Sequence, residues 1–91
     1  MDNRDDNKPV MEFPCEFPIK AMGLASETLH MAVLEIVQRH APEAGKHTLK
    51  SRPSSNGKYV SVTITINATS RAQLDAIYLD LTACEQVLMA L

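Results

Sequence analysis

The sequence predicts an α+β domain of two layers, with its elements in the order βαββαβ. Three observations carry this. Between Lys58 and Ser70 the residues alternate almost without a break: Val60, Val62, Ile64 and Ile66 on one side, Tyr59, Ser61, Thr63, Thr65 and Asn67 on the other. A period of two with β-branched residues at most positions is the pattern of a strand buried on one face. Two further stretches, opening at Ser26 and at Ser70, repeat apolar residues at helical spacing. An Asn56-Gly57 pair precedes the alternating run, where a tight hairpin turn needs positive φ.

The chain has 91 residues, of which 45% are hydrophobic and 22% charged. That is one soluble domain with one small core and little room for a deep catalytic cleft. A net charge of -2 argues against a nucleic-acid binder driven by bulk charge. No apolar run approaches the ~18 residues of a membrane span. The first residues, MDNRDDNKPVME, lack the basic start and apolar core of a signal peptide. A cytoplasmic location is expected, with Cys15 and Cys84 as reduced thiols. Residues 1–12 are too polar to offset the entropy of ordering and are expected to form a disordered tail. Residues 13–91 are expected to form the single domain.

In chain order, Phe17, Ile19 and Ala21 alternate with Glu16, Pro18, Lys20 and Met22, which predicts a first strand that Gly23 ends. Pro18 cannot donate to a ladder, so it faces an unpaired position or sits at a bulge. Ser26 is the expected N-cap of a first helix running to His40, with Glu27 at the positive end of its dipole. Its buried stripe is Leu29, Val33, Ile36, Val37 and His40, and Pro42 stops it. At its end His40 is expected to hydrogen-bond loop backbone or to act on the helix dipole. His47 to Ser54 reads as a weak edge strand, with Lys50, Arg52 and Pro53 discouraging pairing to other chains. The hairpin and the alternating strand follow. Ser70 and Gln73 form a capping box for the second helix, whose core stripe is Leu74, Ile77, Tyr78 and Leu81. Ala72, Ala76, Leu79 and Ala83 are expected to face the first helix, with Met31 or Leu34 filling the contact. A last strand is expected over Gln86 to Leu91, with Val87, Met89 and Leu91 sharing one side.

This order is that of the ferredoxin-like split βαβ sandwich. It implies an antiparallel sheet of order 4-1-3-2 with both helices on one face, and it makes the alternating strand one of the two central strands.

The residues VQRHAP at 37–42, the Pro53-Ser54-Ser55 and Gly57 hairpin, and SVTITINAT at 61–69 resemble the YbeD-like family of small bacterial proteins of unknown function. The EFP at 12–14 and the Met22-Gly23 pair fit the same pattern, which covers residues 12 to 91. The resemblance implies an α-β plait similar to the ACT-type regulatory domains that bind amino acids. It implies no activity, cofactor or catalytic residue.

Chemistry-bearing residues are sparse. A Cys15–Cys84 bridge is rejected: the topology separates the two by the length of a strand, on the order of 20 Å, against a limit of ~7 Å. His30, His40 and His47 lack metal-ligand spacing, since His30 and His40 lie ~15 Å apart along a helix. Neither a metal nor a cofactor is expected. Lys46, Lys50, Arg52 and Lys58 are four cations in thirteen residues with no acid among them, whereas the rest of the chain holds five basic and eleven acidic residues. They suit an acidic partner, a phosphate or a solvated edge. The polar sheet face would present Lys20, Ser61, Thr63 and Thr65, alongside Lys50 and Arg52. One tyrosine among hydroxyls is unsuited to base stacking.

The turn Gly23, Leu24, Ala25 and Ser26 joins a strand to a helix start, where free N–H groups hold a carboxylate or phosphate. Amino-acid effectors bind near that turn in ACT-like domains, a fold analogy. The expected function is therefore a non-enzymatic regulatory or binding module that senses a small metabolite at residues 23–26. The alternative is a protein adaptor using the open sheet face or a sheet edge. The partners implied are a protein, a second copy of the chain or a small metabolite. Nucleic acid and membrane are not expected.

Overall fold

The computed structural model describes residues 12–91. The expected tail lies outside the described residues except for Glu12. The elements are β1 (Cys15–Leu24), α1 (Glu27–His40), a 3-10 turn (Lys46–Thr48), β2 (Leu49–Pro53), β3 (Tyr59–Ala68), α2 (Arg71–Thr82) and β4 (Met89–Ala90). The sheet has the order β2-β3-β1-β4 with every pair antiparallel, which is the expected 4-1-3-2.

β3 forms the floor. Val60, Val62, Ile64, Ile66 and Ala68 are buried, while Ser61, Thr63 and Thr65 between them are half-buried. The helices lay Leu29, Val33, Ile36 and Val37 from α1, and Leu74, Ile77 and Leu81 from α2, into the same core. Each such side chain is worth about 1.5–3 kcal/mol of burial. Both helices start where the sequence places them: the Ser26 Oγ accepts from the Leu29 N–H at 3.1 Å and the Ser70 Oγ from the Gln73 N–H at 3.0 Å. The Gln73 side chain reaches back one residue further than a capping box requires, accepting from the Thr69 N–H at 2.8 Å.

Several expectations are corrected. β1 is ten residues long and does not end at Gly23, which pairs with Val60 inside the strand. Glycine serves there for close approach, because a Cβ would overlap the Gln86 carbonyl oxygen and touch Leu29 at 3.1 Å. Pro18 makes no bulge, since the β1–β3 register runs unbroken from Cys15 to Leu24. Lys20 exchanges both backbone hydrogen bonds with Leu91. By the two-residue period the nitrogen of Pro18 points to the same side, past the end of β4, where no donor is needed.

β2 begins at Leu49 and not at His47, because Thr48 closes a one-turn 3-10 segment on Gly45, its Oγ1 donating to the Gly45 carbonyl at 2.9 Å. The hairpin behaves as read: Gly57 has φ +75°, and the Asn56 side chain accepts from the Lys58 N–H at 3.0 Å.

The side of α2 facing α1 is turned by one position from the expectation. Gln73 and Asp80 bind the end of α1, and Ala83 faces Ala32 and Ile36 across the helix crevice. Leu79 and Met31 are exposed, and Leu34 faces β2 instead. Two polar contacts decide this. The Gln73 Nε2 donates to the His40 carbonyl at 2.7 Å, and the His40 Nε2 lies 2.7 Å from an Asp80 carboxylate oxygen. His40 thus bonds a side chain on the other helix, not loop backbone.

β4 is two residues long. The turn closed by the Val87 N–H on the Cys84 carbonyl shifts the alternation, so Val87 is buried while Met89 and Leu91 are exposed.

Candidate functional site: the open face of the sheet

Opposite residues in a ladder share a face, so the register says what the uncovered side of the sheet presents. One row runs Arg52, Ser61, Met22, Met89; the next runs Lys50, Thr63, Lys20. Thr65 stands beside Pro18, and Tyr59 beside Leu24. All six residues read as a candidate interaction surface, Lys20, Ser61, Thr63, Thr65, Lys50 and Arg52, are therefore brought together on one face.

The face has two halves. Along β2 it is cationic, with Lys50 and Arg52 exposed and Lys20 on the far side of β3, in one row with Lys50 and Thr63. Ion pairs among the described residues join Arg39 to Glu35 and to Asp80, His40 to Asp80, and Arg71 to Asp75; none engages these three cations. Along β1 and β4 the face is apolar, with Leu24, Met89 and Leu91 at 54%, 52% and 65% exposure and Met22 between them. The sequence reading missed this apolar strip. The strict alternation expected for β4 put Met89 and Leu91 on one side with Val87, which is buried, and only the β1–β4 register reveals that they face outward. Glu16 and Glu43 border a hollow of about 530 Å³ at the far end of the face with His47 and Lys50.

Tyr78 pins this apolar end. Its hydroxyl donates to the Leu91 carbonyl oxygen, and the ring of Phe17 stands edge-on at 6.5 Å. Burial pushes the Tyr78 phenol above its ordinary value of 10.0.

Of the four turn residues 23–26, Leu24, Ala25 and Ser26 border one hollow and Gly23 does not. Gly23 is buried, and Leu24 belongs to the open face. The Ala25 N–H donates to the Lys58 carbonyl at 2.9 Å, and the Ser26 Oγ is committed to capping. A hollow of about 510 Å³ borders Leu24, Ala25 and Ser26, and the carboxylate of Glu85 lines it. A separate groove of about 570 Å³ runs between the outer side of α1 and the start of β2, floored by Met31, Leu34 and Leu49. Among the described residues no group of three His, Cys, Asp or Glu side chains is placed to hold a metal ion, and no helix is long and apolar enough to cross a membrane. Cys15 and Cys84 are free thiols.

Known proteins match this chain closely. A UPF0250 protein of Ectopseudomonas mendocina is 47% identical over 92 residues, covering all of both chains. A UPF0250 protein of Edwardsiella ictaluri is 51% identical over 82 residues, covering 90% of this chain and 92% of that one. In fold, the chain is similar to the solution structure of protein HP0495 from H. pylori, with a TM-score of 0.73 at 17% identity, over 96% of this chain and 91% of that one. Residues 8–91 match the family described as "Protein of unknown function (DUF493)". With the full-length likeness to UPF0250 proteins, this places the chain in that family of bacterial proteins, the YbeD-like proteins that its hairpin and third-strand residues resemble.

Proposed function

We propose that the protein is a non-enzymatic, cytoplasmic binding module that docks an acidic protein partner on the open face of its sheet. The observation that carries this is the face itself. Lys20, Lys50 and Arg52 share it with no ion pair among the described residues, beside an exposed apolar strip. Monomeric proteins rarely leave such strips without a use. Exposed cations steer an acidic partner and set its register, while apolar contacts hold it. The test is differential capture from native bacterial lysate with the intact protein and with the Lys50→Glu/Arg52→Glu variant. A protein retained by the first and released by the second supports the reading. Identical capture profiles overturn it.

The second reading, an amino-acid sensor at residues 23–26, is favoured by the hollow beside Ala25 and Ser26. Against it stands the Glu85 carboxylate in that hollow, which suits the ammonium of an amino acid but opposes its carboxylate at the helix start. Ligand binding to the native state alone raises the melting temperature, so a panel of amino acids at millimolar concentration decides it. No shift with any of them removes the sensor reading.

A further inference from the structure

We infer that the free edge of β2 takes up an extended segment of the partner as a fifth strand, with acidic side chains over the open face and apolar ones in the groove beside α1. This rests on the reading of the open face as a protein-binding surface and adds the mode of binding.

The backbone directions come first. The Ser54 N–H donates to the Tyr59 carbonyl. By the two-residue period Arg52 and Lys50 also turn their backbone groups toward β3, whereas Leu49, Ser51 and Pro53 turn theirs outward. The Leu49 N–H is spent on the Lys46 carbonyl, and Pro53 has none. Among the described residues this edge therefore presents three carbonyls and a single N–H, that of Ser51. Such an edge suits an incoming strand that mainly donates.

The two sides of that edge differ. Lys50 and Arg52 stand opposite Thr63 and Ser61 on the open face, while Leu49 stands opposite Ile64 on the helix-covered side. There the groove floored by Met31, Leu34 and Leu49 opens directly beside the strand. Successive residues of an added strand would point alternately to these two places. Acids belong over Lys50 and Arg52. The groove suits them less: its floor is apolar and its rim sets Glu27 and Glu35 against the single cation Lys46. The partner's chemistry is thus an alternation of acidic and apolar residues.

A second copy of this chain is the wrong occupant. Any antiparallel β2–β2 register that pairs Ser51 with an outward-facing residue sets Lys50 against Lys50, Lys50 against Arg52, or Arg52 against Arg52. Like charges directly opposite are destabilising. The cations that exclude self-pairing are those an acidic strand would neutralise.

The test uses two synthetic peptides of identical composition, Glu with Val and Leu, followed by fluorescence anisotropy at low salt against the full chain. One alternates acidic and apolar residues; the other places the apolar residues at helical spacing. The variants are Ser51→Pro, which removes the one outward N–H and leaves the ladder to β3 intact, and Lys50→Glu/Arg52→Glu, each checked for fold by circular dichroism. Strand addition predicts that the alternating peptide binds at least about tenfold tighter than the permuted one. It further predicts that both variants lose that binding and that the Ser51 amide slows in hydrogen exchange when the peptide is bound. Equal or tighter binding of the permuted peptide, lost with the charge reversals but kept by Ser51→Pro, overturns strand addition and leaves the open-face reading standing. Binding of neither peptide counts against both. Self-association of the free chain at the concentrations used, abolished by Ser51→Pro, would give the edge to a second copy and overturn the inference.

Discussion

The two sides of β3 divide the labour of this small protein. On one side Val60, Val62, Ile64 and Ile66 are buried beneath two helices. On the other, Ser61, Thr63 and Thr65 are half-buried by their own neighbours in the sheet and, among the described residues, covered by no helix. The backbone is the same, and only the identity of alternate residues differs. The covered side is closed by apolar contact and tolerates no charge. The open side carries cations, hydroxyls and exposed apolar side chains that the fold does not need. Stability should therefore respond to one side and recognition to the other.

The most severe way to break that division is Ile64→Asp. Ile64 is fully buried, and an unpaired carboxylate there costs several kcal/mol, comparable to the whole stability of a small domain. The variant is expected to be unfolded by circular dichroism at room temperature. Next comes Gly23→Ala, which forces a Cβ onto the Gln86 carbonyl. It should cost about 1–3 kcal/mol in urea denaturation, because the obstacle is backbone and not a flexible side chain.

Asp80→Ala probes the junction of the helices. It removes the partner of the His40 Nε2 and of Arg39, groups that are partly solvated, so the expected loss is about 1 kcal/mol, or ~4–8 °C in melting temperature. Asp75→Ala, at the exposed pair with Arg71, should move the melting point far less.

Tyr78 gives a pH test of the covered side. Its folded-state pKa lies above the ordinary 10.0, so the folded protein holds the phenolic proton more tightly than the unfolded chain. Its contribution is complete below about pH 10 and is lost as the pH climbs through the raised value. Tyr78→Phe should lower stability at neutral pH by about 1 kcal/mol and flatten the decline in alkali measured by denaturation at a series of pH values. The smallest effect on stability belongs to the open side. Lys50→Glu with Arg52→Glu should change the unfolding free energy by no more than about 0.5 kcal/mol, as usual for surface positions.

The fold was legible in the sequence because its signals are local and periodic. The alternation of β3, the caps Ser26 and Ser70 and the Asn56-Gly57 hairpin each act within a few residues, and together they leave one topology. The misreadings share a cause of the opposite kind. Gly23 is set by the carbonyl of Gln86, which is distant in sequence. The facing of Met89 and Leu91 is set by pairing with β1. The turn of α2 against α1 is set by Asp80 and Gln73 meeting His40. For the candidate site, the hydroxyls and cations of the open face were legible from parity alone. Its apolar half was not, since exposed methionine and leucine look like core until the register is known. The 3-10 turn before β2 was hidden because Thr48 continues a strand-like run and closes its turn through a hydroxyl.

Recognition is proposed at the open face beside β2. Titration of the alternating acidic peptide into isotope-labelled protein, with every backbone amide followed by NMR, tests it most directly. Shifts are expected to concentrate at Lys50, Ser51, Arg52, Thr63 and Lys20, with the amides of Leu74 and Ile77 unmoved. Shifts centred on Ala25, Ser26 and Thr28, or on the exposed side of α2, would contradict it.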